Sequence, residues 1–286
     1  AVRRPDLAGF LQPLGRVGQI HAVQANLRYP ASVEAAVRDA HIVVNLVGVL
    51  FERGAQSFTA VHAEGAAAVA RAAAAAGARV IHVSAIGADP ESPSLYARTK
   101  AAGEAAVRKT VPDAVVMRPS IVFGPDDDFF NRFAAMARAL PALPLIGGGT
   151  TRFQPVFVTD IAEAVARAVD GKARPGTTYE LGGPEVKTFR ELMEYVLATI
   201  ERRRMLVPLP APIARLKASV LQFLPKPPLT PDQVTMLGID NVVSRSAIEE
   251  GRTLQGLGIA PTSIEAVVPS YLWRFRKTGQ FTSRAA

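Results

Sequence analysis

The chain has 286 residues, 49% of them apolar, enough to bury a large core as one extended domain or a domain with a smaller lobe, and too many for a disordered chain. It has no cysteine, and its four histidines (His21, His41, His62, His82) form no close pair at metal-ligand spacing, so disulfides, thiolate chemistry and a metal centre are not expected. The net charge of +8 comes from 33 basic against 25 acidic residues; they are scattered except at Arg202–Arg204 and Arg274–Lys277, and with no recognisable nucleic-acid module the choice lies between a solvated surface and contact with a membrane or an acidic partner.

No apolar run approaches the roughly 20 residues of a membrane-spanning helix, and Ala1–Asp6 lacks the apolar stretch of a signal peptide. Ala1–Arg4 reads as the end of a strand entering a Pro/Asp turn. Gln19–Gln24 is a short strand candidate, followed by Asn26-Leu27. Ser32 is expected to cap a helix whose Val33, Ala36 and Val37 share a face. His41–Val47 is a buried-type strand ending at Gly48. An alanine-rich helix is expected from about Ser57 to Ala76, closed by Gly77.

Arg79–Ser84 is the next strand. A Gly/Asp/Pro/Ser loop then leads into a helix carrying Tyr96-Ala97-Arg98-Thr99-Lys100, and Ala114–Met117 forms another strand. Short apolar strands alternating with amphipathic helices predict a parallel sheet covered on both faces. Further on, Asp126–Asp128 precede a helix and suit its positive dipole end better than a metal. Gly147-Gly148-Gly149 leads into extended chain instead of a helix N-terminus, so it reads as a connection and not a phosphate loop. Thr159-Asp160 is expected to cap the next helix, Thr177–Leu181 is a late strand, and Thr188 with Glu191 forms a capping box. Prolines then fence off a helix over Ala211–Leu224, with Ile213, Leu216, Val220 and Leu224 on one face. That face either packs on its own domain or docks onto a partner or membrane surface.

Ser84, Tyr96 and Lys100 carry the chemistry. Positions i and i+4 share a helix face, which sets the Tyr96 phenol beside the Lys100 ammonium. A nearby cation favours the phenolate, so a proton can pass to a substrate oxygen near neutral pH. Ser84, at a strand end twelve residues before Tyr96, can bond the same oxygen, and lysine can hold a ribose hydroxyl.

With Asn26-Leu27, Asn45-Leu46-Val47-Gly48, Arg118–Pro125 and Gln154–Ala162, this set resembles the extended or atypical short-chain dehydrogenase/reductase superfamily over roughly Ala1 to Gly183. The resemblance implies a Rossmann-like, doubly wound α/β fold: a nucleotide-binding domain over 1–183, and a smaller α/β lobe for substrate or partner over 184–286, with some interleaving. It places Asn26 and Leu27 near adenine, Leu46, Val47 and Gly48 along the dinucleotide, Tyr96 and Lys100 at the nicotinamide ribose, and Pro119, Ser120, Ile121 and Val122 beside the nicotinamide. Arg3 and Arg4 fall where the family surrounds the adenosine ribose, so a 2′-phosphate, and hence NADPH over NADH, is favoured. The family's first strand, Gly-rich turn and first helix would precede Ala1, and the chain is expected to be truncated at that end.

Pro225–Val234, Leu237 and Asp240–Ser244 resemble the 39-kDa, alpha-subcomplex-9-type accessory-subunit family of respiratory complex I and its bacterial relatives. That resemblance implies a structural NADPH and contact with other complex I subunits near the quinone site. The location implied is peripheral, on the cytoplasmic face of a bacterial inner membrane or the matrix side of a mitochondrial one. The alternative is a free-standing NAD(P)-dependent reductase, epimerase or dehydratase, as a homodimer, with Ser84, Tyr96 and Lys100 catalytic.

Overall fold

The computed structural model describes residues 1–224 and 227–278. Pro225 and Lys226 of the C-terminal resemblance, and residues 279–286 of the C-terminal region, lie outside the described residues. In chain order the elements are α1 (Pro30–Val37), β1 (Ile42–Asn45), a π-helical turn (Thr59–Glu64) running into α2 (Gly65–Ala75), β2 (Arg79–Val83), α3 (Leu95–Thr110) and β3 (Val115–Pro119). There follow β4 (Val122–Phe123), α4 (Phe130–Ala139), β5 (Ala142–Ile146), β6 (Arg152–Phe153), β7 (Val156–Phe157), α5 (Val158–Val169), β8 (Thr178–Leu181) and β9 (Lys187–Thr188). The chain ends through α6 (Phe189–Thr199), β10 (Met205–Leu209), α7 (Ala211–Leu221), α8 (Pro231–Met236), α9 (Arg245–Glu249), α10 (Ile264–Val267) and α11 (Pro269–Leu272).

Four strands form one sheet in the order β1-β2-β3-β8. Ile42 lies opposite Arg79 and Ile81 opposite Val115, both in parallel register. Parallel strands joined through helices are the Rossmann-like α/β fold that the alternating pattern predicts.

The chain divides into two compact units, 1–84 with 88–117 and 168–178, and 85–87 with 118–167 and 179–286. In sequence the two units interleave, with residues 118–167 in the second and 168–178 in the first. The core of the first unit is built from small residues: Ala66, Val69, Ala70 and Ala73 of α2 meet Val33 and Val37 of α1, Val80 of β2 and Val107 of α3. Alanine has high helix propensity and no bulk, so α2 can lie close to its neighbours. The second unit is aromatic instead, with Phe123, Phe130, Phe133, Phe153 and Phe189 packed with Leu143, Leu192, Met193 and Leu272. The Thr188/Glu191 capping box starts α6 as expected.

Four local expectations are corrected. Ser32 is not an N-cap: α1 begins at Pro30, whose fixed φ and missing N–H suit the first turn. Its hydroxyl instead accepts the Asn26 N–H at 3.0 Å. Gln19–Gln24 contributes only the bridge between Val2 and Gln24, because Gln19 folds back on Arg16 in a turn, its Oε1 accepting the Arg16 N–H at 2.9 Å. The strand end expected at Ala1–Arg4 shrinks to the same bridge. Asp160 does not cap α5; it lies inside the first turn and accepts the Thr262 N–H at 2.7 Å and the Thr262 hydroxyl at 3.0 Å.

Candidate functional site

The site in the first unit is built where α3 crosses the π-helical turn. Gly103 permits the crossing, since a Cβ there would stand 2.2 Å from the His62 carbonyl oxygen. Ser94 caps α3, its Oγ accepting the Ala97 N–H at 3.3 Å, and this sets the first turn of α3 so that half-buried Tyr96 and buried Lys100 face His62 and the end of β1.

His62 was not expected here. Its ring stacks on Phe58 (centroids 5.3 Å apart) and meets Tyr96 edge to face at 5.1 Å. Nε2 accepts the Val49 N–H at 3.1 Å, so the ring proton sits on Nδ1, which donates to Thr99 Oγ1 at 3.1 Å. The Thr99 hydroxyl donates in turn to the Tyr96 carbonyl at 3.0 Å. Burial first, and the Lys100 charge second, lower the His62 pKa to about 3, so the ring is neutral at physiological pH. It ties the loop after β1 to α3.

Lys100 is 5% exposed, and its Nζ donates to the Val83 carbonyl at 3.3 Å. That is its one hydrogen-bond acceptor among the described residues, although an ammonium has three donors. Nζ also lies 5.9 Å from the centre of the Tyr96 ring. Burial lowers the Lys100 pKa to about 8, with the Glu104 carboxylate opposing the shift. A second buried histidine stands beside it. Asn45 Oδ1 takes the Val47 N–H at 3.1 Å, which leaves Asn45 Nδ2 to donate to His82 Nδ1 at 3.1 Å. The His82 proton is therefore on Nε2, which is buried without a partner among the described residues, as is Ser84 Oγ. Burial and Lys100 lower the His82 pKa to about 4.

These features fit a nicotinamide nucleotide. A buried hydroxyl and a buried N–H without partners cost stability unless something completes them, and Lys100 keeps two donors for ribose-type hydroxyls. Gly48 leaves the needed space: a Cβ there would lie 3.2 Å from Lys100 Nζ and 3.7 Å from His62 Nε2. Leu46 and Val47, next to it, present 66% and 43% of their surface to solvent. Asn26 forms a turn, its Oδ1 accepting the Arg28 N–H at 3.1 Å, and Leu27 packs on Gly65, where a Cβ would stand 2.7 Å from Leu27 Cδ1. Arg3 and Arg4 are exposed, and Arg4 pairs with Asp6 at 2.6 Å.

Pro119–Val122 belong to the second unit, where Asn241 organises them. Ser120 Oγ donates to Asn241 Oδ1 at 2.6 Å, the Ile121 N–H donates to the same oxygen at 3.0 Å, and Asn241 Nδ2 donates to the Ile86 carbonyl at 3.2 Å. Asn241 falls in the segment that carries the C-terminal resemblance. This bonding gives it a definite task in shaping the 119–122 strip.

Comparison with known proteins agrees with this architecture. A family model described as "RmlD substrate binding domain" matches residues 7–223. A protein of Arabidopsis thaliana named NADH dehydrogenase (ubiquinone) 1 alpha subcomplex subunit 9, mitochondrial, is 36% identical over 96% of this chain and 70% of its own length. A Caulobacter vibrioides protein named ceramide reductase is 34% identical over 56% of this chain and 49% of its own length. Among solved structures, the Citrobacter sp. triphenylmethane reductase complexed with NADP(H) superposes with a TM-score of 0.71 at 18% identity, over 94% of this chain and 88% of that one.

Proposed function

The chain belongs to the RmlD substrate-binding family and to that of NADH dehydrogenase alpha subcomplex subunit 9, and from that membership we propose that it is an NADPH-binding accessory subunit of a respiratory NADH:ubiquinone oxidoreductase. The observation that carries the reading is the buried Lys100 ammonium with donors to spare, beside the partnerless Ser84 hydroxyl. Bound nicotinamide can in general supply hydride transfer; in this reading it serves as a structural group.

The residues then have definite tasks. Lys100 and Tyr96 hold the nicotinamide ribose, Ser84 bonds the nicotinamide side, and Gly48 with Leu46 and Val47 lies along the dinucleotide. Asn26 and Leu27 line the adenine end. Arg3 and Arg4 meet a 2′-phosphate, for which Arg4 exchanges its exposed and therefore weak pair with Asp6. His62 holds the loop after β1 against α3 while the nucleotide is bound. The subunit sits beside the quinone-site subunits, peripheral to the membrane on its cytoplasmic or matrix side.

The test is purification of the tagged protein from its own membranes under mild detergent. NADH:quinone reductase activity and an equimolar, acid-extractable NADPH should accompany it. Recovery as a free homodimer without respiratory subunits counts against the reading. The similarity to a ceramide reductase, with Ser84, Tyr96 and Lys100 all present, favours one second reading, a free-standing NAD(P)-dependent reductase. That reading requires NADPH consumption with a carbonyl substrate.

A further inference from the structure

The stretch from Arg202 to Pro231 holds six basic residues (Arg202, Arg203, Arg204, Arg215, Lys217, Lys226) and no acidic one. Within it, α7 turns its small residues inward. Ala214 and Ala218 are fully buried and pack with Ile146 and Val234. On the opposite side Ile213, Leu216, Val220 and Phe223 recur at helical spacing, exposed by 48%, 70%, 70% and 83%. A stripe so far out of the protein is convex. Protein partners seat their apolar anchors in pockets, whereas a convex apolar stripe flanked by cations suits a plane.

We propose that α7 is an interfacial helix that lays Leu216, Val220 and Phe223 into the surface of a bilayer carrying anionic phospholipids. Charge complementarity selects this occupant. At 100° per residue Lys217 lies 40° from Ile213 on the wheel, at the flank of the stripe, where an ammonium reaches lipid phosphates while its stem stays in the apolar layer. Arg203 is exposed, and Arg202 and Arg204 bond backbone carbonyls, at Phe275 and Ala137, which leaves their charge uncompensated by those contacts. A second copy docked on the same face would set Lys217 against its own counterpart, with no acidic residue in this stretch to offset it. The prolines at 208, 210 and 212 on one side and at 227 and 228 on the other bracket the helix, so the apolar segment stays short and lies on the membrane without crossing it. This surface is independent of the respiratory reading, because vesicle binding requires this chain alone.

The experiment is co-sedimentation of the full chain with vesicles of phosphatidylcholine alone and with vesicles that also contain phosphatidylglycerol. Binding should be about tenfold or more stronger to the anionic vesicles and weaken with added salt. Leu216→Ser with Val220→Ser should abolish it without shifting the thermal melt, since both side chains are exposed, and Arg215→Gln with Lys217→Gln should lower it by about tenfold. In otherwise wild-type protein, a Val220→Trp reporter should blue-shift on vesicle addition. No binding to anionic vesicles overturns the proposal, as does binding indifferent to the Leu216/Val220 pair. Loss of a dimer on that substitution without vesicle binding assigns the face to a second copy. Capture of an acidic protein in place of lipid assigns it to a protein partner.

Discussion

His62 and Tyr96 meet edge to face, their ring centroids 5.1 Å apart and their planes at 85°. Through Thr99 the same histidine also reaches the Tyr96 backbone, so both the ring and the main chain of the tyrosine are fixed from one side. His62→Ala removes a buried ring and strands the Val49 N–H. The expected cost is about 2–4 kcal/mol in urea unfolding, with weakened nucleotide retention. Because burial holds the His62 pKa near 3 in the fold, well below the usual imidazole value, that cost should be constant above pH 7 and shrink by about 1.4 kcal/mol per pH unit below about 6.5, where the unfolded ring takes up a proton that the folded ring refuses. A cost that stays flat down to pH 5, or grows as pH falls, would show that the folded ring carries charge.

Lys100 gives the opposite stability effect. Burial lowers its pKa from 10.5, the ordinary lysine value, to about 8 in the folded chain, so the folded state binds the proton less well. The resulting penalty, about 3 kcal/mol, is complete below pH 8 and fades as pH rises from 8 to 10.5. Lys100→Met is therefore expected to raise the melting temperature of the nucleotide-free protein at pH 7, with the advantage shrinking above pH 8, while abolishing NADPH retention. A lower melting temperature at pH 7 would contradict the account.

NADPH affinity of the wild type should fall as pH rises through about 8, where Lys100 loses its charge. Fluorescence titration at pH 7 and pH 9 measures it. Equal affinity at both values would remove Lys100 from the site.

Gly103→Ala places a methyl 2.2 Å from the His62 carbonyl. Backbone cannot yield there as a flexible side chain would, so overpacking of about 1–3 kcal/mol or more is expected. Far-UV circular dichroism should stay native while NADPH retention drops. Full retention would mean that the crossing of α3 over the π-helical turn does not set the site.

Arg3→Ala with Arg4→Ala should weaken NADPH by about tenfold and leave NADH unchanged, since one charge-assisted phosphate contact is worth about 1.5–3 kcal/mol. Isothermal titration with both nucleotides separates the cases. Equal loss for both would place these arginines away from the 2′-phosphate.

Legibility in the sequence followed how local each signal was. Tyr96 and Lys100 sit one helical turn apart, Thr188 and Glu191 three residues apart, and Gly77 directly follows its helix, so spacing alone identified their arrangement. His62 lies 37 residues from Thr99, and in the sequence it reads only as one of four histidines without metal-ligand spacing. Its role depends on the close approach permitted by Gly103, which no periodicity reports. The same holds for Asn45 with His82 and for Asn241 with Ser120. Ser32 and Asp160 failed as caps because Pro30 and Val158 start their helices earlier. For α7 the amphipathic pattern was clear, but which face is buried depended on whether alanine or leucine fitted against Ile146.

The central claim, a structural NADPH in a respiratory assembly, is tested most directly by Tyr96→Phe in the tagged protein expressed in its own cells. Loss of the phenol removes proton transfer while Lys100 and the packing against His62 remain. The account predicts that the variant still co-purifies with NADH:quinone reductase activity at the wild-type rate, with any loss confined to NADPH retention. A wild-type protein that purifies alone and oxidises NADPH against a carbonyl substrate, with that turnover abolished by Tyr96→Phe, would contradict it.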